Sequence, residues 1–239
     1  MAKRARITLL ILGLAVSAAC TQPSDSAPPT PASATTTSTA PAVSDRWDAD
    51  LRHAATAGDA AAVRKALEQG ANVETRDPEG RTPLMTAVLA DDLEVARALV
   101  AHGADPDARD NRGETPWVNT GVTGSVPMME LLLPTNPDLT ARNRFGGNAL
   151  IPAAEKGHLA YVREVLRQTE IDIDHINDLG WTALLEAVYY GDGSTVYQDI
   201  VRTLVDNGAD RTIRDRDGHT AYDHALRRGF TKIADLLAP

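Results

Sequence analysis

The chain of 239 residues contains a single cysteine, Cys20. An internal disulfide is therefore excluded, as is a structural zinc site built on cysteines, and the fold has to stand on packing. Aromatic residues are scarce, at 4% of the chain, so a local concentration of them demands a reason. No Gly-x-Ser-x-Gly elbow, Walker loop or glycine-rich dinucleotide turn occurs, which removes the sequence signatures of several large enzyme classes. The six histidines show no close ligand spacing, and no nucleophile, base and orienting group form a set. The expectation is a protein that is not an enzyme, with no catalytic residues, no metal and no cofactor. Positive charge is short as well. The net charge is −9, and because residues 1–45 carry a local +1, the remainder carries about −10. Such a body repels phosphate backbones, so nucleic acid is not an expected partner.

A long apolar run is also missing. Ile7 to Val16 is mostly apolar but falls short of the roughly 20 residues that a membrane span needs. It follows the basic Lys3, Arg4 and Arg6 and precedes the small Ser17, Ala18 and Ala19. That is the order of a secretory signal, so residues 1–19 are read as a signal peptide. Cys20 stands directly after the small residues. Ser17-Ala18-Ala19-Cys20 resembles the lipobox of bacterial lipoproteins, departing from it at Ser17, where an aliphatic residue is usual. The resemblance implies lipidation of Cys20 and a protein held by a lipid anchor on the extracytoplasmic face of the cell membrane. Conventional cleavage after Ala19, with a periplasmic or secreted soluble product, is the alternative. Residues 20–45 then supply little beyond Thr, Ser, Pro and Ala. With so little to bury, they are expected to form a disordered tether.

From there the chain repeats. Gly80-Arg81-Thr82-Pro83-Leu84 returns as Gly113-Glu114-Thr115-Pro116-Trp117, Gly146-Gly147-Asn148-Ala149-Leu150, Gly180-Trp181-Thr182-Ala183-Leu184 and Gly218-His219-Thr220-Ala221-Tyr222. The threonine position recurs in steps of 33, 33, 34 and 38. Gly70-Ala71-Asn72, Gly103-Ala104-Asp105 and Gly208-Ala209-Asp210 run in phase with it, as does Asp-x-x-Gly at Asp77, Asp110 and Asp215. Each piece has a local use. Thr82 is suited to cap a helix, and Pro83 fits the first turn, where its missing N–H has no consequence. Leu93 to Val100 reads as a second helix, ended near Gly103. One such unit cannot bury its own apolar faces, whereas stacked neighbours can.

These phased motifs resemble the ankyrin repeat over about residues 48 to 239. The resemblance implies an all-α solenoid of stacked helix-turn-helix units joined by β-hairpin loops. The ankyrin-repeat domain is placed at 46–239, with repeats at about 49–81, 82–114, 115–147, 148–181, 182–219 and 220–239. Two departures stand out. Gly121 and Gly124 fall in what should be an inner helix of the third repeat, where each disfavours helix by up to about 1 kcal/mol. That repeat is expected to be a weak point between two stiffer halves. The step of 38 comes from extra residues around Gly191 to Val196, between the two helices of the fifth repeat.

The resemblance further implies a concave face built from turn tips and inner helices, on which a protein or peptide would bind. Carried over by position, that face holds Arg144, Phe145, Leu179, Trp181, Tyr189, Tyr190 and His219. Four aromatics together in so aromatic-poor a chain suggest a binding hot spot, although Trp181 and Tyr189 would equally serve to pack neighbouring repeats. The expected function is an exported, monomeric binding module at the cell envelope. A protective, inhibitory or immunity-type partner of an exported enzyme or toxin is the alternative.

Overall fold

The computed structural model describes residues 43–238. The expected signal peptide, Cys20 and the tether up to residue 42 lie outside the described residues. Residues 43–45, assigned above to the tether, form the start of the first helix.

Among the described residues twelve α-helices follow in six antiparallel pairs. They are α1 (Val43–Ala57) with α2 (Ala60–Glu68), α3 (Pro83–Ala90) with α4 (Leu93–Val100), and α5 (Pro116–Thr123) with α6 (Val126–Leu132). Then come α7 (Leu150–Glu155) with α8 (Leu159–Gln168), α9 (Ala183–Tyr189) with α10 (Thr195–Asp206), and α11 (Ala221–Arg227) with α12 (Thr231–Leu237). A short 3-10 turn, Leu133–Thr135, extends α6. Odd-numbered helices pack on one another in one row and even-numbered helices in a second row. The array is thus all-α and stacked as expected.

The threonine column starts the inner helices. Thr82, Thr115 and Thr182 each accept a hydrogen bond from the backbone N–H three residues on. Thr220 adds a reciprocal bond from its own backbone N–H to Asp223, completing a capping box. Asn148 replaces threonine in the fourth pair, and its Oδ1 serves the Leu150 and Ile151 N–H groups. Behind the caps lies a continuous core in which Leu84, Trp117, Leu150 and Leu184 occupy equivalent, fully buried positions.

The connections between pairs differ from the expected β-hairpins: among the described residues no strand is present. Each tip is one tight turn with a single backbone pair across its base, such as Asp77 N–H to Arg81 O at 3.1 Å. The Asp77 carboxylate closes the rest of the turn by accepting from the Arg81 N–H. A side chain therefore holds what a strand ladder would otherwise hold. Successive tips are tied directly, with Asn111 N–H donating to Glu79 O and Asp178 N–H to Phe145 O. At the outer bases a second ladder uses carboxylates. Asp48, Glu74, Asp107 and Asp174 accept from the N–H groups of Asn72, Asp105, Asp138 and Asp210.

The third pair explains its own glycines. Gly121 lies inside α5, and a Cβ there would sit 1.9 Å from the carbonyl oxygen of Ala149 in the next pair. Gly121 is what lets these two pairs approach. Gly124 ends α5 in a left-handed conformation, against the His158 ring. Beneath them Thr120 and Tyr161 share a buried hydrogen bond of 2.7 Å. Part of the longer step of 38 is absorbed by α10, whose 12 residues exceed the 8 of α4. The first turns of α10 hold the insertion in place: Tyr197 donates to Glu155 O, and Gln198 donates to Gly193 O in the loop.

Candidate binding surface

Stacking six turn-and-helix units puts equivalent residues in columns. Turn tips and the exposed side of the inner helices together form one face. A trough runs along it, about 430 Å³ where Leu89, Arg112, Val122 and Arg144 line it. It continues into a cleft of about 270 Å³ lined by Phe145, Ile151, Pro152, Leu179, Glu186 and Tyr190. Phe145, Pro152 and Glu155 border both parts.

Of the seven residues expected on this face, Arg144, Phe145, Leu179 and Tyr190 line the trough or the cleft, whereas Trp181, Tyr189 and His219 line neither and are joined to Tyr190 through ring contacts. The Arg144 guanidinium lies 4.6 Å over the Phe145 ring and pairs with Glu114 at 3.7 Å. Phe145 is 50% exposed and Tyr190 is 53% exposed, while Leu179 and Tyr189 are exposed to a similar degree. Trp181 is half-buried. Its ring centroid is 4.2 Å from Tyr189 and 5.6 Å from Tyr190, so it anchors the two tyrosines from below. Tyr189 reaches His224 at 5.3 Å, and His224 reaches His219 at 5.6 Å. A connected series of rings thus leads from the fifth pair into the sixth. Arg228 fixes its edge by donating to the Val188 and Tyr189 carbonyls while stacking 4.6 Å over Phe230.

Two buried polar pairs under this face were not visible as sites in the sequence. In the sixth pair, His224 Nε2 and Asp215 Oδ2 are 2.7 Å apart. In the fifth pair, Asn177 Nδ2 donates to Glu186 Oε1 at 2.9 Å. Both join a turn residue to an inner-helix residue nine positions later. That recurring offset is the signal that would have found them. The polarity is reversed between them, because an acid at the turn faces a histidine while an amide at the turn faces an acid. Asp215 also accepts from the backbone N–H groups of Asp217 and His219. With His219 nearby, Asp215 and His224 have ligand atoms within 4.8 Å of one another. The carboxylate's hydrogen bonds already fill that cluster, and His219 turns its other nitrogen to Arg227.

Glu186 is satisfied on one side only. Its Oε2 is buried and has no hydrogen-bond partner among the described residues. Burial pushes its carboxyl up to about 7, with the charge of Glu155 adding to the rise and the Asn177 amide opposing it. Other histidines are structural: His102, His158 and His175 bond to the Ala98, Val122 and Gly146 carbonyls.

Comparison with known proteins places these observations. The family model described as ankyrin repeats in three copies matches residues 51–143 and again 118–215. The ankyrin repeat protein YahD of Escherichia coli (strain K12) is 38% identical over 189 residues, covering 79% of this chain and 94% of that protein. Among solved structures, the ankyrin repeat protein EF0377 superposes with a TM-score of 0.77 at 42% identity, covering 80% of this chain and 97% of that one. An ankyrin repeat domain from Acinetobacter baumannii AYE gives a TM-score of 0.75 at 40% identity, covering 78% and 95%.

Proposed function

Because this chain belongs to the ankyrin-repeat family, we propose that it is an exported binding module that holds a protein or peptide partner on its concave face. Ankyrin repeats mediate protein–protein interaction. The observation that carries the reading is the exposed apolar run at and beside the cleft. Phe145, Leu179, Tyr189 and Tyr190 leave apolar surface in water on one face, and such patches mark interaction sites. Trp181 gives that run a rigid base, and Arg144, His219 and Arg227 form its polar rim.

The test is capture of a partner by crosslinking the tethered protein in its native envelope. Trp181→Ala combined with Tyr190→Ala should abolish capture and leave the circular dichroism spectrum unchanged. Capture that survives the double change would rule out this face.

Placement at the envelope rests on the sequence alone, on the basic, apolar and small-residue order of residues 1–19 and on Cys20 behind it. In this reading Cys20 is acylated, the following segment spaces the array from the membrane, and the protein works as a monomer. A chain bearing Cys20→Ala should lose incorporated palmitate and move from the membrane fraction to the soluble one. Unchanged labelling would refute the anchor.

A further inference from the structure

The cleft between the fourth and fifth pairs has apolar walls and an acidic floor. Phe145 and Leu179 stand at neighbouring turn tips, and Tyr190 closes the cleft from the end of α9. Behind them Glu186 is only 4% exposed, and its Oε2 has no partner among the described residues. A buried carboxylate oxygen left without a donor is unfavourable in the free protein. Glu155 adds a second carboxylate to the same lining. Its ion pair is with Lys156, at 3.7 Å and partly exposed on both sides, whereas none of the ion pairs among the described residues includes Glu186. The volume of about 270 Å³ is below the range of drug-sized ligand sites and suits one long side chain.

We propose that this cleft receives an arginine side chain from the partner, its stem against Phe145 and Leu179 and its guanidinium on Tyr190 and the free oxygen of Glu186. Arginine fits better than lysine for two reasons. A planar guanidinium stacks on aromatic rings, as Arg144 does on Phe145 within this protein. Its fork of N–H groups can also serve two carboxylates at once, and Glu186 and Glu155 both line the cleft, whereas one compact ammonium does this less well. A neutral apolar side chain would fill the walls and leave Oε2 unpaired. The assignment rests on the concave-face reading above and adds the chemistry of the occupant.

The experiment is chemical-shift mapping of the full chain at pH 8, where Glu186 is ionised, with acetyl-arginine amide as the probe. Saturable shifts are expected at the amides of Phe145, Leu179 and Glu186, several-fold weaker with acetyl-lysine amide and absent with acetyl-norleucine amide. Glu186→Gln should weaken arginine binding roughly ten-fold, the loss of one charge-assisted hydrogen bond. Glutamine keeps the shape and the bond to Asn177 by rotation of its amide, and a melting temperature at pH 8 no lower than that of the native chain would exclude unfolding as the cause. Equal shifts from the norleucine probe, or full-strength arginine binding by Glu186→Gln, would overturn the proposal. Failure of arginine to bind while Tyr190→Ala still abolishes partner capture overturns the arginine assignment alone. Arginine binding in the cleft while partner capture ignores Tyr190→Ala overturns the concave-face reading instead.

Discussion

At the scale of single residues, the fifth and sixth pairs solve one problem with opposite charges. A turn residue and a helix residue nine positions on must share a buried hydrogen bond, and one of them must donate. Asp215 accepts from His224, and Glu186 accepts from Asn177. Asn177→Asp would set two carboxylates against each other in a buried site. We expect it to lower stability by about 1–3 kcal/mol at pH 8, measured by urea denaturation, and by much less at pH 5, where Glu186 is protonated. Glu186 itself predicts a pH dependence. Its folded pKa of about 7 lies above the ordinary 4.5, so the ionised form is disfavoured by folding. The native chain therefore loses stability as pH rises from about 4.5 through 7, and the loss is complete above that. Glu186→Gln should remove this slope, matching the native chain at pH 4 and exceeding it at pH 8 by about 1–3 kcal/mol.

At the scale of helices, the third pair shows why propensity is a weak guide. In an exposed helix, replacing glycine by alanine stabilises by roughly 0.5–1 kcal/mol. In α5 the sign reverses, because a Cβ at Gly121 would collide with the Ala149 carbonyl, which is backbone and cannot step aside. Gly121→Ala should cost about 3 kcal/mol or more, read as a fall in the denaturation midpoint. Thr120→Val tests the same seam from beneath. It keeps the shape but strands the Tyr161 hydroxyl, which has Thr120 as its bonded partner in a fully buried position. The expected loss is about 1–3 kcal/mol. The glycines thus have a packing reason, and hydrogen exchange across α5 and α6 will decide whether the seam is also the weak point that their helix propensity suggests.

At the scale of the array, the main helix–helix contacts among the described residues join each pair to its neighbours, so the array behaves as a row of coupled units. A strong perturbation at one seam should uncouple the row. Gly121→Ala is expected to split a single denaturation transition into two, one for α1 to α6 and one for α7 to α12, seen in single-tryptophan variants that keep either Trp47 or Trp181. The face that carries the trough and cleft is also a property of the row. Phe145, Tyr190 and His219 come from three different units, and the continuous surface they make exists only while those units stay in register.

The sequence alone determined the repeat, its period, the capping threonines and which side of each unit faces the trough, because caps, turns and helix faces are short-range consequences of residue type and spacing. Phe145, Leu179, Tyr189 and Tyr190 were legible as surface residues for that reason. Tertiary structure decided what depends on the distance between units: that Gly121 is a contact rather than a flaw, that Trp181 lies beneath the tyrosines, and that Glu186 keeps one oxygen unpaired. Those outcomes turn on gaps of a few ångströms between pairs, and a one-dimensional pattern carries no measure of them.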